Sequence, residues 1–237
     1  MRTRSKAIFG ACLLFISSSC VPDQTDQATL DIFPINFNFA DSDQGWTHGF
    51  AEYPSGPADS ALFELKYAYT DQPSEFMLVK RSFMLSGKNL NNDLFMYIKK
   101  KITGLKPQTD YTITYTVELT SDFAADSQSA TGSVYLKAGA TPFEPKTVDD
   151  AGYFVMNIDK GNAATPGQHM VSLGDIITPA KSAGYTLLTR NNTMANSRYV
   201  GRTNADGELW LIVGTDSSYG GTTTVFYNRI NVVFSAS

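Results

Sequence analysis

Cysteine and histidine are nearly absent: the 237 residues contain Cys12, Cys20, His48 and His169 and no others of either type. So few thiols exclude a disulfide-rich scaffold and a cysteine-built zinc site. No H-x-x-x-H spacing exists for zinc, and no G-x-S-x-G elbow for a serine nucleophile. His48 and Glu52 stand four residues apart, a spacing that puts both on one strand face and reads as a polar rim pair. Charge is sparse too, at 18% of residues with a formal net of −4, and Lys99-Lys100-Lys101 is the one basic run. A chain this acidic excludes nucleic acid as a partner, because phosphate contact needs a basic field. The lysine run reads as a solvated strand end. Long apolar runs are missing except for Ala7–Ile16, which is too short to cross a bilayer as a helix. Amphipathic helical periodicity is missing throughout.

What is present begins with an address. Arg2, Arg4 and Lys6 precede the apolar run, and Ser17-Ser18-Ser19-Cys20 follows it, which is the layout of a secretory signal peptide. Its end resembles a bacterial lipoprotein signal, in which the cysteine becomes the lipidated first residue. The expected division is a signal over 1–19, a polar tether over 20–31 and a single domain over 32–237. Loss of residues 1–19 takes the formal charge from −4 to −7. The expected location is the bacterial envelope, at the outer membrane or cell surface, with the membrane contacted through the lipid on Cys20.

From Leu30 onward the pattern is short β runs divided by turn residues. The clearest runs from Gly104 to Leu119: a turn containing Pro107, then Tyr111, Ile113, Tyr115, Val117 and Leu119 alternating with Thr112, Thr114, Thr116 and Glu118. That is a half-buried antiparallel strand. Further runs are Ile32–Phe39, Ala61–Tyr69, Glu75–Leu85, Asp93–Ile102, Ser133–Ala138, Tyr153–Ile158, His169–Leu173, Tyr185–Thr189, Glu208–Val213 and Thr223–Phe234, with a brief edge strand expected at Arg198–Val200. Gly139–Asp150, Arg190–Ala195 and Gly214–Gly221 read as loops. About a dozen short strands without helices predict an all-β fold, a sandwich or barrel.

Three segments narrow this. Phe39–Trp46 (FADSDQGW) resembles the opening of galactose-binding-like jelly rolls, Gly104–Tyr111 (GLKPQTDY) their mid-chain turn and strand, and Tyr227–Val232 (YNRINV) their closing strand. Carbohydrate-binding modules use this fold. The chain is also similar to uncharacterised secreted bacterial lipoproteins at Val134–Gly139, Met156–Asn162 and Gly207–Ser217. The resemblance implies a single jelly-roll β-sandwich of two antiparallel sheets, and a structural calcium ion near the opening turn, for which Asp41 and Asp43 are the candidates. A fibronectin type III domain, which shares the L-x-P-x-T-x-Y pattern, fits less well: over 120 residues follow the motif without a second copy. Tyr135–Gly139 resembles a segment of alginate lyases, but the R-x-E-x-R and Q-x-H strands of those enzymes are missing.

The expected activity is binding without catalysis, with a carbohydrate or a related extracellular ligand as partner. Sugar sites join an aromatic platform to polar side chains. Trp46, Tyr53, Tyr67, Tyr69, Trp210 and Tyr219 are the aromatic candidates, with Trp46 and Trp210 expected in the core and Tyr219 exposed in its glycine-flanked loop. Tyr219, Arg190, Asn192 and Asp216 are therefore the expected ligand-binding residues. A structural or adhesion subunit is the first alternative. A small glycan-active enzyme is the second, and would need two convergent acids among Asp159, Asp175, Glu208 and Asp216, each of which reads more simply as turn or cap chemistry.

Overall fold

The strand Asp110–Ser121 has the alternation its sequence shows: Tyr111, Ile113, Tyr115, Val117 and Leu119 are fully buried, while Thr112, Thr114, Thr116 and Glu118 are half-buried on the other face. The turn before it places Gly104 at φ +82° and Gln108 at φ +50°, and the Tyr111 hydroxyl accepts the Lys106 N–H at 3.1 Å, pinning turn to strand. The computed structural model describes residues 31–73, 81–123, 132–178, 184–193 and 197–236. Residues 1–30, with Cys20, lie outside them.

In chain order the elements are β1 (Ile32–Asn38), β2 (Thr47–Ala51), β3 (Tyr53–Pro54), α1 (Pro57–Ala61), β4 (Lys66–Asp71), β5 (Arg81–Lys88), β6 (Phe95–Ile102) and β7 (Asp110–Ser121). Then come β8 (Val134–Thr141), β9 (Thr147–Asp150), β10 (Tyr153–Met156), β11 (Gly161–Asn162), β12 (Thr165–Pro166) and β13 (Met170–Asp175). The last are β14 (Thr186–Asn191), β15 (Val200–Arg202), β16 (Leu209–Ser217) and β17 (Thr222–Ala236). Two antiparallel sheets stack as a sandwich. One has the order β14-β7-β17-β5-β4, with β1 also paired to β17 and β15 to β7; the other has the order β13-β8-β16-β6-β2. The chain crosses between sheets at β5–β6, β6–β7, β7–β8 and again at β15–β16–β17, the path of a jelly roll. Phe37, Phe39, Trp46, Leu85, Met96, Ile98, Leu136, Val213 and Val232 are among the side chains filling the space between them. β17 bulges at Asn228, whose carbonyl accepts the Phe39 N–H at 3.0 Å.

Several boundaries differ from the sequence reading. Residues 61–65 leave a short helix instead of entering a strand, because Pro57 fits its first turn and Glu64 adopts φ +49° before β4 begins. Gly214–Ser217 continue β16 instead of turning. Gly214 is there because a Cβ would stand 2.7 Å from the Met96 carbonyl and 2.8 Å from the Phe95 ring. β8 runs on to Thr141, and β14 contains Arg190 and Asn191. The lysine run is solvated only at its end, where Lys101 is exposed and Lys100 half-buried. Lys99 is buried, with Nζ donating to Glu144 Oε1 at 2.7 Å and the Pro145 carbonyl at 2.9 Å, and it lies over the half-buried ring of Trp210, which was expected in the core.

The outer face of the second sheet is covered. The excursion 142–169, carrying β9 to β12, lays Met156 and Ile158 over Ala51, Phe95, Tyr97, Ile212 and Met170 as a second apolar cluster. Polar latches hold it. Thr147 donates through its N–H to the Tyr97 hydroxyl at 3.1 Å and through Oγ1 to the Phe50 carbonyl at 2.7 Å. Lys137 Nζ reaches from β8 to the carbonyls of Ala163 and Thr165 at 3.1 and 2.8 Å.

Candidate functional site

An open sheet face cannot serve as the ligand surface on the second sheet, since the excursion fills it. Along one flank the edge strands β2 and β4 face each other, with no strand between them among the described residues. There a groove of 530 Å³ is lined by Asp43, Trp46, Thr47, His48, Tyr67, Ala68, Tyr69 and Phe83. Among the described residues β2 pairs only with β6, placing His48 opposite Ile98, and β4 only with β5, placing Tyr67 opposite Leu85 and Tyr69 opposite Phe83. Tyr67 and Tyr69 are two apart and share a face. Trp46 and Phe83 are buried and form the apolar floor.

Across the gap the His48 and Tyr67 rings stack, with centroids 3.5 Å apart and planes 20° from parallel. Tyr67 nevertheless stays 53% exposed. Partial burial among Tyr67, Phe50 and Phe83 holds the His48 pKa below its usual value, so the ring is uncharged at neutral pH. Tyr69 is fixed from both ends: its hydroxyl donates to the Phe39 carbonyl at 2.7 Å, and the Arg81 guanidinium lies 4.0 Å above its ring while donating to its carbonyl at 2.9 Å. Asp43 is exposed at the mouth, and its Oδ1 accepts the Gly45 N–H at 2.9 Å, which orients the carboxylate. A flat aromatic surface flanked by a carboxylate, a threonine and an uncharged imidazole matches the alternating CH faces and hydroxyls of a pyranose ring.

The four expected ligand residues are not brought together. Tyr219 is half-buried instead of exposed, its ring 4.9 Å from that of Phe123 in an edge contact against the core. Asn192 is buried: its Oδ1 accepts the Tyr115 N–H at 2.8 Å and its Nδ2 donates to the carbonyls of Ile113 and Ser197, each at 3.0 Å. It caps the backbone of β7, and both of its amide hydrogens are spent there and on Ser197. Asp216, read as a turn residue, is 1% exposed on β16, where Oδ2 accepts from Lys160 Nζ at 3.1 Å and from the Ala163 N–H at 3.0 Å. Arg190 is half-buried on β14 and donates through Nε to the Asp175 carbonyl at 2.6 Å. Glu52 does not share a face with His48. Its φ of +64° breaks the strand, and its carboxyl turns to the Met156 N–H at 3.4 Å. Burial raises the Glu52 pKa, against the pull of Lys160.

The opening turn does not fit a calcium ion. Asp41 Oδ2 accepts from Asn38 Nδ2 at 3.1 Å, and three carbonyls of the turn already accept hydrogen bonds: Phe39 from Tyr69, Asp43 from the Trp46 N–H at 3.0 Å, and Gln44 from Lys100 Nζ at 2.6 Å. Among the described residues no three His, Cys, Asp or Glu side chains cluster as metal ligands. Exchange of calcium for EDTA is therefore expected to leave the melting temperature unchanged; a fall of several degrees in EDTA would restore the metal to this loop.

No protein-family model matches the chain, and no curated protein is similar to it. Among solved structures, TmCBM27, a carbohydrate-binding module studied for specific mannan recognition, is 10% identical, with a TM-score of 0.40 over 85% of this chain and 97% of that one. TmCBM61, solved with β-1,4-galactotriose, is 7% identical, with a TM-score of 0.35 over 79% and 87%. The enzymatically active domain of tailspike protein 4 from bacteriophage CBA120 is 11% identical, with a TM-score of 0.36 over 78% of this chain and 19% of that one. The chain thus spans about a fifth of the tailspike's length. At these TM-scores the likeness carries no argument about the ligand, and the β-sandwich rests on the strand pairing itself.

Proposed function

We propose that the protein binds a carbohydrate in the groove between β2 and β4, without catalysis, while tethered to the bacterial envelope through Cys20. The observation that carries the binding reading is the solvent-exposed Tyr67 ring, held in place by its stack on His48 with Asp43 alongside. A prepositioned aromatic gives up little freedom when a sugar settles on it. The second sheet's outer face, being filled, offers no competing surface.

A glycan-binding screen with the purified protein tests this. Tyr67→Ala is expected to weaken a reproducible hit by about tenfold or more, the cost of truncating a central aromatic anchor. Tyr219→Ala, outside the groove, is expected to leave it unchanged. Undiminished binding by Tyr67→Ala would move the site elsewhere, and a blank across plant, host and microbial glycans would shift the reading to a protein-contact role. The tether rests on the sequence around Cys20. Cys20→Ala is expected to move the protein from the membrane to the soluble fraction, and membrane retention would remove the anchoring proposal.

A further inference from the structure

We infer that the groove takes an uncharged pyranoside and turns away uronic acids and other anionic sugars, with Asp43 as the discriminating residue. This rests on the carbohydrate reading above. The argument is one of charge placement. Among the described residues that line the groove, Asp43 is the only ionic side chain. Two nearby cations already have partners. Arg81 is clamped on Tyr69, over its ring and to its carbonyl, and Lys100 is bonded to the Gln44 carbonyl on the far side of the opening turn. Asp41, a second acid, acts on Tyr69 in the same sense as Asp43, against the larger opposing charge of Arg81.

The remaining polar lining, Thr47, His48 and the tyrosine hydroxyls, offers hydrogen bonds suited to neutral hydroxyls, and Asp43 accepts from them. A carboxylate-bearing sugar on the Tyr67 platform would bring its charge beside Asp43, with no cation among the described lining residues to offset it. At this exposed mouth the repulsion amounts to about a tenfold loss at low salt and fades as salt screens it.

The test compares a neutral oligosaccharide, such as a manno- or galacto-oligomer, with an oligogalacturonate of equal length, by calorimetry at ~20 mM and ~500 mM salt. The neutral ligand is expected to bind about tenfold tighter at low salt, with the gap narrowing at high salt and in Asp43→Asn. That variant keeps an acceptor for the Gly45 N–H, and its melting temperature reports whether the turn survives. The salt comparison uses the unaltered protein and stands without the variant. Equal or tighter uronate binding, or a gap that neither salt nor Asp43→Asn changes, would overturn the inference while leaving carbohydrate binding intact. No binding of either ligand, nor of any glycan in the wider screen, would take both down.

Discussion

Asp216→Ala is expected to destabilise the protein by about 3–5 kcal/mol, the cost of leaving a buried charge without its partner. For a chain of this size that is a fall in melting temperature of roughly 6–20 °C. The reason lies under the excursion. Asp216 stands between two lysines, with Lys160 Nζ at 3.1 Å and Lys137 Nζ at 3.6 Å, and the Lys137 side chain has no solvent exposure at all. Removing the one carboxylate leaves both ammonium groups facing Phe95 and backbone carbonyls. Lys137 adds a pH signature. Burial drags its pKa down to about 8, against the opposing pull of Asp216. An unfolded lysine holds its proton to about 10.4. Between about pH 8 and 10 the unfolded chain therefore binds the extra proton, and stability rises with pH across that window. Without Asp216 the rise is expected to begin at lower pH, and Lys137→Met is expected to abolish it. Urea midpoints from pH 7 to 9.5 check both; a flat profile in the unaltered protein would show that Lys137 is not strained by its burial.

Gly139→Ala is expected to cost about 3 kcal/mol, the upper end for forcing atoms into a packed site. A methyl group on Gly139 would overlap the carbonyl of His169 where the excursion rejoins β13, and Met170 sits opposite Gly139 in the ladder. The backbone of one strand or the other must yield. Because His169 also ties back to Asp159, with Nδ1 accepting the Asp159 N–H at 3.1 Å, the damage is expected to spread along 159–169 as faster amide exchange. Gly104→Ala is the control. Gly104 has a positive φ of +82° but open space around it, so it is expected to lose only about 1 kcal/mol. If Gly139→Ala proves no worse than this, the excursion is more loosely seated than its contacts indicate.

The sandwich was legible where side-chain alternation and turn chemistry agree, as they do from Gly104 through Leu119. It was misread where glycine has a second use. Gly214 looks like the start of a loop, yet it sits mid-strand because the Phe95 ring and the Met96 carbonyl fill the space a side chain would need, and that error turned Asp216 from a buried counter-charge into a turn residue. Arg190 and Asn192 looked like loop hydrogen-bonders because Asn-rich stretches favour turns; one lies on a strand and the other caps a buried backbone. The groove had a weaker trace. Tyr67 was among the aromatic candidates and Asp43 among the acids, but nothing local in Trp46–His48 or Lys66–Tyr69 says that two different sheets end side by side. Stacking of His48 on Tyr67 is a product of the topology, and only the pairing of β2 with β6 and of β4 with β5 reveals it.

β17 follows β1, β5 and β7 in the chain, yet it pairs with all three, and Ile32 lies opposite Ser235. Contacts joining residues so distant are slow to form, because the intervening chain must be gathered first, and folds dominated by them mature in milliseconds to seconds. Until residues 222–236 have left the ribosome, β5 and β7 have no strand to bridge them. A nascent chain in that condition exposes bare strand edges to its neighbours. Delaying collapse until the whole chain is available, as passage through a secretion channel does, would spare this protein its most hazardous interval.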